Sequence, residues 1–299
     1  MSAQDMIVVP TTDAVRRAEA GKGYWTRVRE RLLADRITLT VMVLLGCIVI
    51  MAVAAPLFAT HDPMASSVLA RLKSPGYNGH WLGTDEVGRD LYSRILYGGR
   101  LSLLCGVAPV ALALLIGGSL GLLAGYSGGI VNSMIMRSMD VLYAFPSILL
   151  AIAICGMLGS GLGNTILALT ITFIPPIVRI SETVTTQVRS AEFVEAARAS
   201  GARPHSIIRF HILNNVLGPI LVYATTLISI SIILAAGLSF LGLGVTPPDA
   251  EWGLMLNNLR QAIWVNPLVA ALPGAMIFIT SMCFNLMSDG LRTAMDVRI

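Results

Sequence analysis

Charge is scarce in this sequence. Asp, Glu, Lys and Arg make up 13% of its 299 residues, against about 25% in an ordinary soluble domain. With 55% hydrophobic residues and a mean hydropathy of +0.74, the chain needs a nonaqueous solvent, and a soluble globular protein is excluded. Lysine is nearly missing: Lys22 is followed by Gly23, and Lys73 is preceded by Leu72. Neither stands in a GxxxxGK[ST] loop, whose lysine must reach the phosphates of a nucleotide. If anything here is driven by ATP, the ATPase is another chain. The four cysteines, Cys47, Cys105, Cys155 and Cys283, each sit in an apolar run and form no CxxC pair. They read as small hydrophobes, not as disulfides or metal ligands. Ionisable residues are also missing from the centres of the apolar runs, which argues against a proton-coupled pump or a voltage sensor. Sodium coupling through carbonyls would leave less trace.

Long apolar runs are what the sequence does have. Crossing the hydrocarbon core takes about 20 apolar residues as a helix, and six windows qualify: Ile37–Ala59, Leu101–Gly125, Met136–Leu158, Asn164–Ser181, Leu217–Leu243 and Pro267–Ser288. The expected fold is therefore an all-α polytopic bundle with about six transmembrane helices. The first window is too long for a signal core and reads as an uncleaved span. The domain plan is a cytoplasmic N-terminal segment, 1–36, followed by a membrane domain, 37–299. That domain carries an outer loop, 60–100, and a cytoplasmic loop, 182–216. The Gly/Ser turn Gly159–Gly163 makes the third and fourth windows an antiparallel hairpin. With six spans, the side bearing both termini and the 182–216 loop holds 15 of the 21 Lys and Arg residues. The excess of positive charge on the inner side places that side in the cytoplasm of a cell membrane. Prolines recur within the windows, among them Pro109, Pro146, Pro175-Pro176, Pro219 and Pro273, and kinks are tolerated there.

The 182–216 loop holds the most informative stretch. Ala-rich Glu192–Ser200 favours a helix. Gly201 is placed to end it in a left-handed cap, and Pro204 suits the first turn of a second helix. Phe193, Ala196, Ala197 and Ser200 fall at i, i+3, i+4 and i+7, a small-sided face that another helix surface can approach closely.

This stretch resembles the EAA loop of ABC importer permeases, in which Glu-Ala-Ala precedes a Gly by three residues. The match is Glu195, Ala196, Ala197 and Gly201. The resemblance narrows to the C-type permease of dipeptide and oligopeptide importers through further stretches: His80–Arg94, Met139–Val141 with Phe145–Ser147, Leu238–Gly244, Trp252–Met255 and Asp289–Arg292. It covers roughly residues 30–299. It implies a type I ABC importer permease fold and a coupling helix at Glu192, Glu195, Ala196, Ala197, Ser200 and Gly201 that docks on an ATPase. It also implies several partners: a second homologous permease, one or two ATP-binding cassette ATPases and an extracytoplasmic substrate-binding protein. ATP and Mg then belong to those ATPases. This chain has no cofactor, no metal and no catalytic residue, and so is not an enzyme. Peptide is the implied cargo, carried through a pathway of which this chain forms half, and its contact residues are unknown from sequence. A permease for nickel, haem or another small solute is the alternative, as is a secondary transporter. Two departures stand out. Ile212-Leu213-Asn214-Asn215 lacks the family's proline, which allows a more continuous helix, and Val297 replaces another proline.

Plainer readings compete at several positions. His61, Asp62, His80, Asp85, Glu86 and Asp90 supply donor types for a metal, but their spacing fits no ordinary ligand pattern, so ion-paired loop packing is expected. Asp140, beside Arg137, reads as part of a helix-terminal ion pair. Gly117-Gly118, Gly121 and Gly125 have small-xxx-small spacing, for packing within the chain or against a second permease. A DNA-reading helix-turn-helix at 191–213 is a poor fit for a loop held at a membrane.

Overall fold

Caps set where the main helices begin. The computed structural model describes residues 24–295. The N-terminal segment before Tyr24, with Arg16, Arg17 and Lys22, and the C-terminal Asp296–Arg298 lie outside the described residues. Helix α1 (Tyr24–Ala34) leads to Asp35, whose carboxylate accepts from the Ile37 amide and opens α2 (Arg36–Val53). Asp90 opens α3 (Leu91–Ser127) by accepting from the Ser93 amide at 2.8 Å. Both satisfy orphan donors of a first helical turn. Then come α4 (Gly129–Tyr143), α5 (Ser147–Leu158), α6 (Leu162–Arg189), α7 (Glu192–Ala199), α8 (Pro204–Phe240), α9 (Trp252–Asn258) and α10 (Pro267–Met295). Among the described residues there is no β-strand, only two isolated bridges in the 60–90 segment.

Five of these helices are long and apolar enough to cross a membrane, and six if the bent pair α4–α5 counts as one. The third expected span, Met136–Leu158, is therefore not one straight helix. Its two pieces meet at 81°. The cause is Pro146, which bars the preceding residue from helical geometry and has no amide to continue the ladder. The 12-residue α5 reaches only about 18 Å, short of the ~30 Å core. Other boundaries shift too. The second span starts ten residues earlier than Leu101, at Leu91, the first ends at Val53, and the fourth continues to Arg189. The Gly159–Gly163 hairpin forms as expected. Gly159 and Gly161 take positive φ, and the Gly161 amide donates to Gly244 O at 2.8 Å. The helix also runs unbroken through Asn214, with a π-type stretch at Ile207–Ile212.

The α3/α6 pair is the tightest contact, and its glycines explain why. A Cβ at Gly121 would lie 2.5 Å from Val178 O and Ser181 Cβ, and one at Gly125 would lie 2.7 Å from Glu182 O. This small-residue row packs within the chain, leaving α6 seated against α3. Gly121→Val should cost about 1–3 kcal/mol by overpacking, read as a lowered midpoint of reversible unfolding in mixed micelles. An unchanged midpoint would mean the two backbones are not in contact there. Around this pair, Cys105, Ala113, Cys155, Leu169, Phe173 and Leu227 form the main core. Three cysteines are buried and free, while Cys47 is exposed.

Candidate functional site

The expected coupling stretch is a distinct, well-terminated helix. α7 runs Glu192–Ala199 and stops at Gly201, whose φ is +81°. The Gly201 amide donates to Arg198 O at 2.9 Å and the Ala202 amide to Ala197 O at 3.1 Å. That pair of bonds is a Schellman cap, which needs a residue free to adopt the left-handed region. Pro204 then starts α8.

The helix is anchored by one buried side. Val194 is fully buried with Ile207, Ile212 and Val216, and Ala197, Ala202, Val184 and Val188 pack against them. α7 is thereby packed against both α6 and α8. Glu192, Phe193, Glu195, Ala196 and Ser200 face outward. The Glu195 amide donates to Ala191 O at 3.2 Å, and its exposed carboxylate makes no hydrogen bond or ion pair among the described residues. The sequence-derived face of Phe193, Ala196, Ala197 and Ser200 is thus split. Ala197 turns inward, because Val194 and not Phe193 supplies the buried contact three residues before it.

The 60–90 segment is held by buried charge. Asp85 Oδ1 accepts from the amides of Val87 and Arg89, at 3.0 and 2.8 Å, and Oδ2 takes Arg89 Nε at 2.6 Å. Arg94 Nε lies 3.3 Å from the same oxygen. Arg94 is 1% exposed and donates to Pro63 O and Asp249 O at 3.2 and 3.3 Å. Burial, and then the charge of Asp85, holds the Glu86 carboxyl above its ordinary value. Glu251 is equally buried; it caps α9 at the Gly253 and Leu254 amides and accepts from Ser102 Oγ at 2.9 Å. Trp252 Nε1 donates to Ile95 O at 2.9 Å. Sequence reasoning missed the Arg94 and Glu251 roles, whose only local signal was charge beside apolar runs.

His61 and His80 come together with Asp90, their ligating atoms within 4.8 Å of one another. The rings stack at 4.3 Å, and His80 Nδ1 lies 2.8 Å from Asp90 Oδ1. Asp90 is first of all a helix cap. Burial raises its carboxyl, but hydrogen bonds from Ser93 and His80 outweigh this and hold it below the usual range.

Asp140 does not pair with its sequence neighbour Arg137. It pairs across helices with Arg179 of α6. The Arg179 guanidinium also lies 4.8 Å over the Tyr143 ring. The packing of α4 on α6 brings together two residues 39 positions apart, which no local pattern announces.

The comparisons agree with this architecture. Residues 117–299 match the family model described as binding-protein-dependent transport system inner membrane component, and 23–75 match the N-terminal TM domain of oligopeptide transport permease C. A probable D,D-dipeptide transport system permease protein of Escherichia coli (strain K12) is 40% identical over 97% of both chains. A dipeptide transport system permease protein of Alkalihalophilus pseudofirmus is 39% identical, covering 92% of this chain and 90% of that one. A glutathione transport system permease protein of Pectobacterium atrosepticum is 45% identical, covering 77% and 76%. Among solved structures, an inward-facing MetNI methionine ABC transporter chain superposes with a TM-score of 0.56 at 20% identity, covering 67% of this chain and 96% of that one. This last likeness speaks for the fold alone. With its buried-charge loop, anchored short helix and packed spans matched along nearly its whole length, this chain belongs to the binding-protein-dependent transport system inner membrane components, the permease subunits of ABC importers.

Proposed function

We propose that the chain is one of two permease subunits of an importer for short peptides, with α7 as the mechanical link to an ATPase. In this reading both termini and α7 are cytoplasmic, and the bent α4–α5 pair counts as one of six spans. The 60–90 segment faces outward, where a binding protein delivers cargo. The ATPases hold ATP and Mg; this chain contributes no hydrolytic residue. Short peptides are the cargo common to the names of the three relatives.

The observation that carries the reading is the construction of α7. A helix that is capped at its end and packed by one buried side against α6 and α8 passes displacement on, where a loose loop would absorb it. Exposed Glu192, Glu195, Ala196 and Ser200, with Gly201 fixing the turn, are the docking residues, and Ala197 positions them from beneath.

Isolation in mild detergent tests this. An ATPase and a second permease should co-purify, and dipeptide uptake into vesicles should require ATP and the binding protein. Uptake by this chain alone in ATP-free vesicles would reject the proposal in favour of a secondary transporter.

A further inference from the structure

Three features of one groove share a physical problem. The first is the Asp140–Arg179 pair, with side chains 54% and 45% exposed. Counting from the turn at Gly159–Gly161, about 20 residues at 1.5 Å each cross the ~30 Å core. Arg179 therefore lies in its inner third, where charge facing lipid is costly. The second is the α4–α5 break, where peptide groups leave the ladder and no side chain caps the start of α5. The third is Pro175-Pro176 inside α6, which removes the amides that would bond the carbonyls of Ile171 and Thr172. Unsatisfied backbone in hydrocarbon costs several kcal/mol per group, so such places face water-filled cavities or protein.

The three features meet at Tyr143. A cavity of about 250 Å³ is lined by Tyr143, Pro176, Arg179, Ile180, Thr183 and Tyr223. A second, of about 320 Å³, follows the break from Leu142 to Ser147 and reaches Thr172 and Pro175.

We propose that this groove between α4, α6 and α8 is a hydrated wall of the solute path, and that the Asp140–Arg179 pair holds a zwitterionic solute there. The proposal rests on the permease reading above. A guanidinium takes a free carboxylate in two parallel hydrogen bonds, and a carboxylate takes a free ammonium. An exposed ion pair is itself worth only about 0–1 kcal/mol, so a solute's own termini exchange with it at little cost. The resulting site is weak, as a path requires when solute must both enter and leave. Tyr143, whose ring lies under the Arg179 guanidinium, and Tyr223 line the space for whatever lies between the termini.

The test uses the complete importer in lipid nanodiscs, with its binding protein, carrying Thr183→Cys. The reagent is a small membrane-impermeant thiol probe, read site by site by mass spectrometry, with native Cys47 on α2 as the reference. The introduced thiol should label at least about tenfold faster than Cys47, because thiol reagents need the thiolate that water supports. An unmodified dipeptide should slow that labelling, and adding Arg179→Gln should raise the protecting concentration about tenfold, as loss of one charged hydrogen-bond partner predicts. Labelling no faster than Cys47, in an importer whose ATPase still responds to loaded binding protein, would overturn the pathway assignment and leave the permease reading intact; a second permease packed over the groove would give that result. Fast labelling that dipeptide does not slow, or protection that Arg179→Gln does not weaken, would overturn the solute contact. Absence of any ATP-dependent uptake by the assembled system would remove the reading and the inference together.

Discussion

Replacing Asp85 by alanine should destabilise the protein by about 3–5 kcal/mol, the cost of leaving a buried charge without its partner. Asp85 is 2% exposed, and its two oxygens serve two backbone amides and two guanidiniums. Without the carboxylate, Arg89 keeps Glu86 at 3.0 Å, but Arg94 is left buried beside another cation. Glu86 offers partial relief, because its carboxyl is raised in part by Asp85 and ionises more readily once that charge is gone. Asp85→Asn keeps an acceptor for the Val87 and Arg89 amides and should fall between the two. Arg94→Met removes the stranded cation, so the Asp85→Ala/Arg94→Met double variant should lose less than the sum of the singles. Reversible unfolding in mixed micelles measures all four. Additive losses, or a change below about 0.5 kcal/mol for Asp85→Ala, would show that the charges do not act as a unit.

Uncoupling is the expected result at α7. Gly201→Pro removes the amide that donates to Arg198 O and cannot adopt a φ of +81°, so the Schellman cap is lost. Glu195→Lys reverses charge at an exposed position and leaves the Val194 anchor untouched. Both should cut ATP-driven uptake at least about tenfold, equivalent to 1.4 kcal/mol of lost coupling, while the complex still assembles and hydrolyses ATP. The two variants fail by different routes: one loses the shape of the turn, the other the contact surface. Gly201→Ala keeps the amide and should be milder, with a strain of about 1–2 kcal/mol. Wild-type uptake in both Gly201→Pro and Glu195→Lys would take the role away from this loop.

Several elements were readable from local pattern because their causes are local. Gly201 and Pro204 announced a helix, a left-handed cap and a second helix start, and all three formed. Gly159 and Gly161 announced the hairpin. The missing proline at 214 announced the continuous α8. Other expectations gave way to contacts distant in sequence. Pro146 marked a kink in the third span, but the 81° turn there was not legible, because hydropathy sums side chains and does not register how far a break in the ladder redirects the chain. The start of α3 was placed too late because Leu91–Arg100 mixes charge with apolar residues, and its burial against α9 is tertiary. Asp140 was assigned to Arg137, three residues before it and in helical register, and found Arg179 instead.

Hydropathy, proline and glycine placement and the EAA-like stretch were enough, without coordinates, to establish a membrane bundle and its family, because the bilayer imposes span length and backbone satisfaction on every apolar run. Folding in three dimensions decided which charges became structure. Arg94 meets Asp249, 155 residues away, Ser102 meets Glu251, and Asp140 meets Arg179 across a bent helix. A charged residue in one dimension carries no mark of its partner, and only packing determines whether it is neutralised in a core, caps a helix or faces a water-filled groove.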